Sequence, residues 1–188
     1  MNGGLAEAFS LVCGQNPDHT WIVGGLALPC CERCTGLYAG AACALILHLV
    51  FRPQSRDWHW WVHALLLLQM APFGLHWVEQ GAVLRTVSGL LFGFGLVAYL
   101  WIAPTSLIKR PFPPCPRGCG PGYGLGLVCT VLLVPGLALW GGVLTASVLT
   151  CLAVAGALTF ATLVVLNIGL GLVGPSRWIR VSTARVNP

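Results

Sequence analysis

The sequence predicts an all-α integral membrane protein, a bundle of about five transmembrane helices with the amino terminus outside the cytoplasm. Three observations carry that prediction. Apolar residues make up 56% of 188 positions and charged residues only 8%, with a mean hydropathy of +0.81. A soluble domain carries roughly 25% charged residues, so the charges here are too few to cover a water-facing surface. Five apolar runs follow one another, each close to the roughly 20 residues that cross a hydrocarbon core of about 30 Å. Finally, the basic residues fall almost entirely on alternate connections between those runs.

In chain order, residues 1–34 form an extracytoplasmic segment that contains cysteine. Residues 35–174 hold the spans, at about 35–51, 58–78, 86–103, 122–142 and 144–173, and residues 175–188 form a basic cytoplasmic tail. The first span ends at Arg52-Pro53, the third before Pro104 and the fifth at Gly174-Pro175. Gly141, Gly142 and Val143 alone divide the fourth from the fifth, which predicts a tight hairpin. Each run is apolar on every side, as lipid-facing and bundle helices are. Pro72 and Pro135 fall inside spans, where neighbouring groups can satisfy the freed carbonyls. Gly89 with Gly93 and Gly122 with Gly126 are GxxxG pairs that let helix backbones approach closely.

Counting charges orients the bundle. One side carries Arg33 and Arg85. The other carries Arg52, Arg56, Lys109, Arg110, Arg117, Arg177, Arg180 and Arg185, eight of the ten basic residues. The basic side is cytoplasmic by the positive-inside rule, which puts a multi-pass protein in the cell's cytoplasmic (inner) membrane. Trp58, Trp60, Trp61, Trp101 and Trp178 fall at inner ends, and Trp77 and Trp140 at outer ends, as interfacial belts do. Met1 to Val12 lacks the basic start and long apolar stretch of a cleavable signal. Export of the amino terminus then depends on the first span. The formal charge of +5 does not indicate a nucleic-acid partner, because the basic residues form no stripe with aromatic stacking partners. The lipid bilayer is the partner that composition implies.

Cys13, Cys30, Cys31 and Cys34 all precede or open the first span, on the outer side. Cys31-Glu-Arg-Cys34 is a CxxC, able to chelate a soft metal or to close a small redox disulfide. The stretch Trp21 to Pro29 can fold back as a loop or hairpin and bring Cys13 and His19 to the CxxC, while His76 closes the second span at the same face. Cys13, Cys31 and Cys34 with His19 or His76 would suit zinc or iron. Two structural disulfides outside the cytoplasm fit the same spacing, as does an exchanging dithiol.

Cys13-Gly-Gln-Asn-Pro17 followed by Leu28-Pro-Cys-Cys-Glu-Arg-Cys-Thr-Gly-Leu-Tyr38 resembles the signature of an uncharacterised prokaryotic membrane-protein family, domain of unknown function 2085. That family reads Cys-His-Gln…Pro, then Leu-Pro-x-Cys-x-Arg-Cys-Thr-Gly-x-Tyr, and later a helix start like Arg85-Thr-Val-Ser-Gly89-Leu-Leu-Phe-Gly93. The resemblance covers about residues 11–100. It implies that Cys13, Gln15, Cys31, Arg33, Cys34, Thr35, Gly36, Tyr38 and Arg85 are family positions, with Gln15, Arg33, Thr35, Tyr38 and Arg85 supporting the cysteines. Gly14 stands where the family has histidine, so a histidine ligand would have to come from His19 or His76. Ser88 stands where threonine is usual. The family brings no established activity with it.

His48, near the inner end of the first span, and His59 and His63, one turn apart at the start of the second, mark a possible inner histidine site. A two-haem arrangement needs a second helix with a matching histidine pair, and none exists, so haem is disfavoured and these residues read first as polar neighbours of the tryptophan belt. Cys115 and Cys119 sit in a proline-rich cytoplasmic loop and supply two ligands at most. The sequence holds no P-loop, HExxH, nucleophile elbow or dinucleotide motif, and its spans hold no carboxylate for an ion path. No catalytic residue is assigned. The reading that follows is a non-enzymatic membrane component, such as a subunit or assembly factor of a larger membrane complex, with an external metal-binding or oxidised cysteine site. A thiol-redox or metal-handling protein using Cys31 and Cys34 is the alternative, and a b-type haem protein the third.

Overall fold

The computed structural model describes residues 3–51, 53, 57–75, 77–101 and 119–172. The eight basic residues expected on the cytoplasmic side, His76 and Cys115 lie outside the described residues.

A short helix α1 (Gly3–Ser10) opens the chain, followed by a 3-10 turn at Pro17–His19 and a two-stranded hairpin, β1 (Ile22–Val23) and β2 (Leu26–Ala27). The strands pair Ile22 with Ala27 and Val23 with Leu26. Gly24 and Gly25 form the two-residue turn with φ of +57° and +77°, which is the left-handed pair a type I′ hairpin requires. Then come α2 (Glu32–Phe51), α3 (Asp57–Leu68), α4 (Met70–Gly74), α5 (Ala82–Leu100), α6 (Cys119–Trp140) and α7 (Val143–Leu172). Four of these, α2, α5, α6 and α7, are each long and apolar enough to cross a membrane.

The second expected span is divided. Pro72 has no N–H, and its ring crowds the carbonyl four residues back, at Leu68; α3 stops at Leu68. The amide of Gln69 bridges the break, donating to Leu66 O at 3.0 Å and to Ser88 O at 2.9 Å. It thereby satisfies a loosened carbonyl and ties the break to α5. Together α3 and α4 cover 57–74, which at 1.5 Å per residue amounts to about 27 Å.

Helix α2 is the hub, packed against α5, α6 and α7. A Cβ built on Gly36 would strike Thr86 O, and one on Gly40 would strike Leu90 O. In return, a Cβ on Gly89 would strike Arg33 O, and one on Gly93 would strike Leu37 O. Two GxxxG faces therefore interlock, not one. The pairing advances together along both helices, so α2 and α5 run parallel. The chain between them must return the length of the bundle, and α3 with α4 does so antiparallel to α5: Tyr99 Oη donates to Trp60 O, and Gly95 sits against Leu67. Gly122 and Gly126 of α6 meet Phe51 and Leu47 of α2, again antiparallel. Gly156 of α7 abuts Tyr38, Asn167 donates to Leu100 O at 2.9 Å, and Gly24 of the hairpin rests on the Gly142–Val143 turn. The bundle is thus traversed five times. Residues 3–31, α4 and the α6–α7 turn share one end, and His48 and the start of α3 lie at the other.

Candidate functional site

At the first end, three cysteines converge. Cys13 follows α1, whose last turn holds it through Cys13 N–H to Phe9 O at 2.9 Å. Cys31 ends the loop before α2, and Cys34 occupies the first turn of α2. Their sulfur atoms all lie within 4.8 Å of one another. Cys31 N–H donates to Cys13 Sγ at 3.3 Å, the kind of contact that steadies a thiolate. All three are free thiols.

The supporting residues hold the loops that carry these sulfurs. Gln15 sits at φ +43°, a left-handed conformation rare outside glycine. That turn aims its amide back at the carbonyls of Ala6 and Pro29, clamping α1 to the strand leading into the CxxC. Thr35, fully buried, donates to Cys30 O at 3.3 Å and lies 3.4 Å from Cys30 Sγ. Tyr38 packs between Phe9 and Phe160, tilted to the first and edge-on to the second with ring centres 5.5 and 6.2 Å away, beneath the cysteines. Arg33 reaches Gln80 Oε1 at 2.9 Å and Phe73 O at 3.3 Å, joining α2 to the end of α4. Arg85 of α5 pairs with Glu32 at 3.2 Å.

His19 lies beside the trio without joining it. Its Nδ1 accepts from Arg85 at 2.6 Å, so a neutral ring keeps its proton on Nε2 and offers no lone pair to a metal there. The converging set among the described residues is therefore Cys13, Cys31 and Cys34. Around it opens a cavity of about 700 Å³ whose walls include Gly14, His19, Arg33, Glu79 and Arg85. A Cβ on Gly14 would meet nothing within 4 Å.

Environment divides the thiols. The hydrogen bond from Cys34 lowers Cys31 to about 5, further aided by the Cys13 contact and opposed by burial. Burial pushes Cys30 up to about 12. Cys31 is the thiolate of the set, and Cys30 is an inert packing thiol.

Sequence reasoning missed two residues here. Trp21, delivered by the hairpin, donates its buried Nε1–H to Thr86 Oγ1 at 2.9 Å. Thr86 in turn donates toward Ala82 O at 2.9 Å, with Glu32 O at 3.2 Å. No local pattern marks a contact between residues 21 and 86.

At the opposite end, His48, His59 and His63 do come together, each buried, with one nitrogen from each ring all within 4.8 Å.

Residues 13–99 match the model of a family described as "Predicted membrane protein (DUF2085)". The DUF2085 match is to the same family that the cysteine signature resembles, and it covers α2, α3, α4 and α5 together with the site. An uncharacterized protein of Methanocaldococcus jannaschii is 28% identical over 115 residues, covering 57% of this chain and 73% of that relative. No solved structure matches the chain significantly. A DUF2085-like region of this composition, with four helices of spanning length, makes this an all-α multi-pass membrane protein whose outer apolar faces meet lipid.

Proposed function

We propose that this protein is a non-enzymatic membrane component whose Cys13, Cys31 and Cys34 bind one thiophilic divalent ion, such as zinc or iron, outside the cytoplasm. The convergence of three sulfurs, not two, carries the reading. A disulfide would use two and strand the third, whereas a tetrahedral zinc site with bonds of about 2.3 Å sets sulfurs about 3.8 Å apart. The fourth position would open on the cavity beside Gly14. Three thiolates on a divalent ion leave one negative charge, and Arg33 and Arg85 in the cavity wall favour it. Open coordination beside a large cavity suits a component that presents its metal to a partner, as a subunit or assembly factor would.

The test is metal analysis of the full chain purified in mild detergent. One equivalent should give thiolate-to-metal absorption when replaced by Co(II), and Cys31→Ser should abolish that band. Fully oxidised cysteines without such a band would overturn the proposal. A second reading rests on the lowered Cys31 thiol: closing a Cys31–Cys34 disulfide would pass two electrons and two protons to a partner disulfide, and reopening it would take them back from a partner dithiol. Reversible loss of two countable thiols in a glutathione buffer, with no metal bound, would favour it. Stable co-purifying membrane proteins would support the subunit role, and a clean monomer would count against it.

A further inference from the structure

The second cluster of ligating side chains lies away from the cysteines. We propose that His48, His59 and His63, closed off by Tyr123, form a separate site for a borderline divalent transition ion, for which zinc is the probe. His48 stands on α2 fourteen residues after Cys34, about 21 Å along the helix, so the two sites share one helix and no ligand.

Several observations converge. All three imidazoles are buried, His63 almost completely. His48 Nδ1 lies 2.8 Å from Ala44 O, and His63 Nδ1 lies 2.8 Å from His59 O. A carbonyl only accepts, so both Nδ1 atoms carry the proton and both Nε2 atoms keep a lone pair. Metal-binding histidines are prepared in this way, the distal N–H tied to a carbonyl so that the other nitrogen is fixed and basic.

Tyr123 comes from a third helix, α6. Its hydroxyl is 2.9 Å from His63 Nε2, and its ring lies 5.1 Å from that of His48 and 5.6 Å from that of His59. The phenol O–H donates to the His63 lone pair that an ion would take, so ion entry displaces that hydrogen bond and leaves the phenol oxygen placed as a fourth donor. One nitrogen from each histidine lies within 4.8 Å of the other two. Nitrogens around zinc at bonds of about 2.0–2.1 Å stand about 3.4 Å apart, so closure takes movements of about 1 Å. A nitrogen set with one phenol oxygen favours zinc, copper, nickel or cobalt over magnesium or calcium.

The experiment uses the full chain in detergent with Cys13→Ser, Cys31→Ser and Cys34→Ser combined, titrated with zinc and with Co(II). One equivalent should still bind, its Co(II) spectrum showing ligand-field bands without sulfur charge transfer. Adding His63→Gln should abolish it, whereas Tyr123→Phe should keep the stoichiometry and weaken affinity about tenfold to a hundredfold. Should the triple-serine variant not fold, the parent chain serves: two equivalents should fall to one with His48→Gln and His63→Gln, the thiolate band remaining. A monodisperse, helical triple-serine variant that binds no zinc would overturn the proposal. So would binding that survives the double histidine change, or a Soret band lost in His63→Gln, which would assign the site to haem.

Discussion

The cysteine site is decided by single atoms. Cys31 and Cys34 are chemically alike in sequence, yet the hydrogen bond between them makes Cys31 the one with a thiol lowered to about 5. A thiol normally near 8.5 is thus a thiolate through the neutral range when folded. The sign follows: this contribution is present in full above the ordinary thiol value and is lost as pH falls through about 5. Metal-free protein should therefore be alkylated at Cys31 at pH 6, with the rate falling below pH 5. Cys34→Ala should slow the reaction at pH 6 by removing the donor. Mass spectrometry of the alkylated peptides reads both outcomes, and Cys30, pushed up to about 12, should stay unmodified. Gly14 supports the opposite kind of change. A side chain there meets open space at the cavity edge, so Gly14→His should fold and supply the missing fourth ligand. Zinc affinity should rise at least tenfold in a competition titration with a chelator; unchanged affinity would separate Gly14 from the metal.

At the scale of elements, what was legible and what was not divides along sequence distance. Composition and periodic breaks suffice for apolar helices because their signal is local. The paired glycines of α5 are visible as Gly89 and Gly93, but of their counterparts Gly36 lies inside a motif read for its cysteines and Gly40 just beyond it. Only the crossing shows why Thr35-Gly36 follows Cys34: the glycine lets α5 approach until Thr86 O touches the α2 backbone. The break at Gln69 was announced by Pro72 and still read as continuous, since nothing local says that a side-chain amide will satisfy the loosened carbonyl. His48, His59 and His63 were suspected from a short loop, whereas Tyr123 arrives from 60 residues beyond His63 and left no local mark. Replacing a crossing glycine tests this account. Gly36→Val or Gly89→Val forces backbone apart at about 1–3 kcal/mol for ordinary overpacking, and more where the obstacle is main chain. Both should lower the apparent melting temperature in detergent and weaken zinc binding together, because Arg33 and Cys34 ride on the same turn. Gly74→Ala, which meets nothing within 4 Å, should change neither.

For the whole molecule the question is which end faces which compartment. Parallel α2, α5 and α7, with α3, α4 and α6 running back, put the cysteines and the α6–α7 turn at one end and His48 at the other. That geometry is indifferent to orientation. The charge count predicts one: eight basic residues, Arg52 and Arg180 among them, follow α2, α5 or α7 in sequence. Holding the histidine end in the cytoplasm satisfies the positive-inside preference. The reverse orientation would export eight basic residues and retain two. An impermeant maleimide applied to intact cells should therefore label a chain whose single cysteine is Cys31. A chain whose single cysteine is introduced as Ser182→Cys should be labelled only after the cells are opened. If Ser182→Cys labels in intact cells while Cys31 does not, the bundle is inverted and the thiols face a reducing cytoplasm. The metal reading would survive that inversion, because free thiolates persist there. Exchange with an external thiol partner would not, so orientation and metal content together discriminate the two functions where neither does alone.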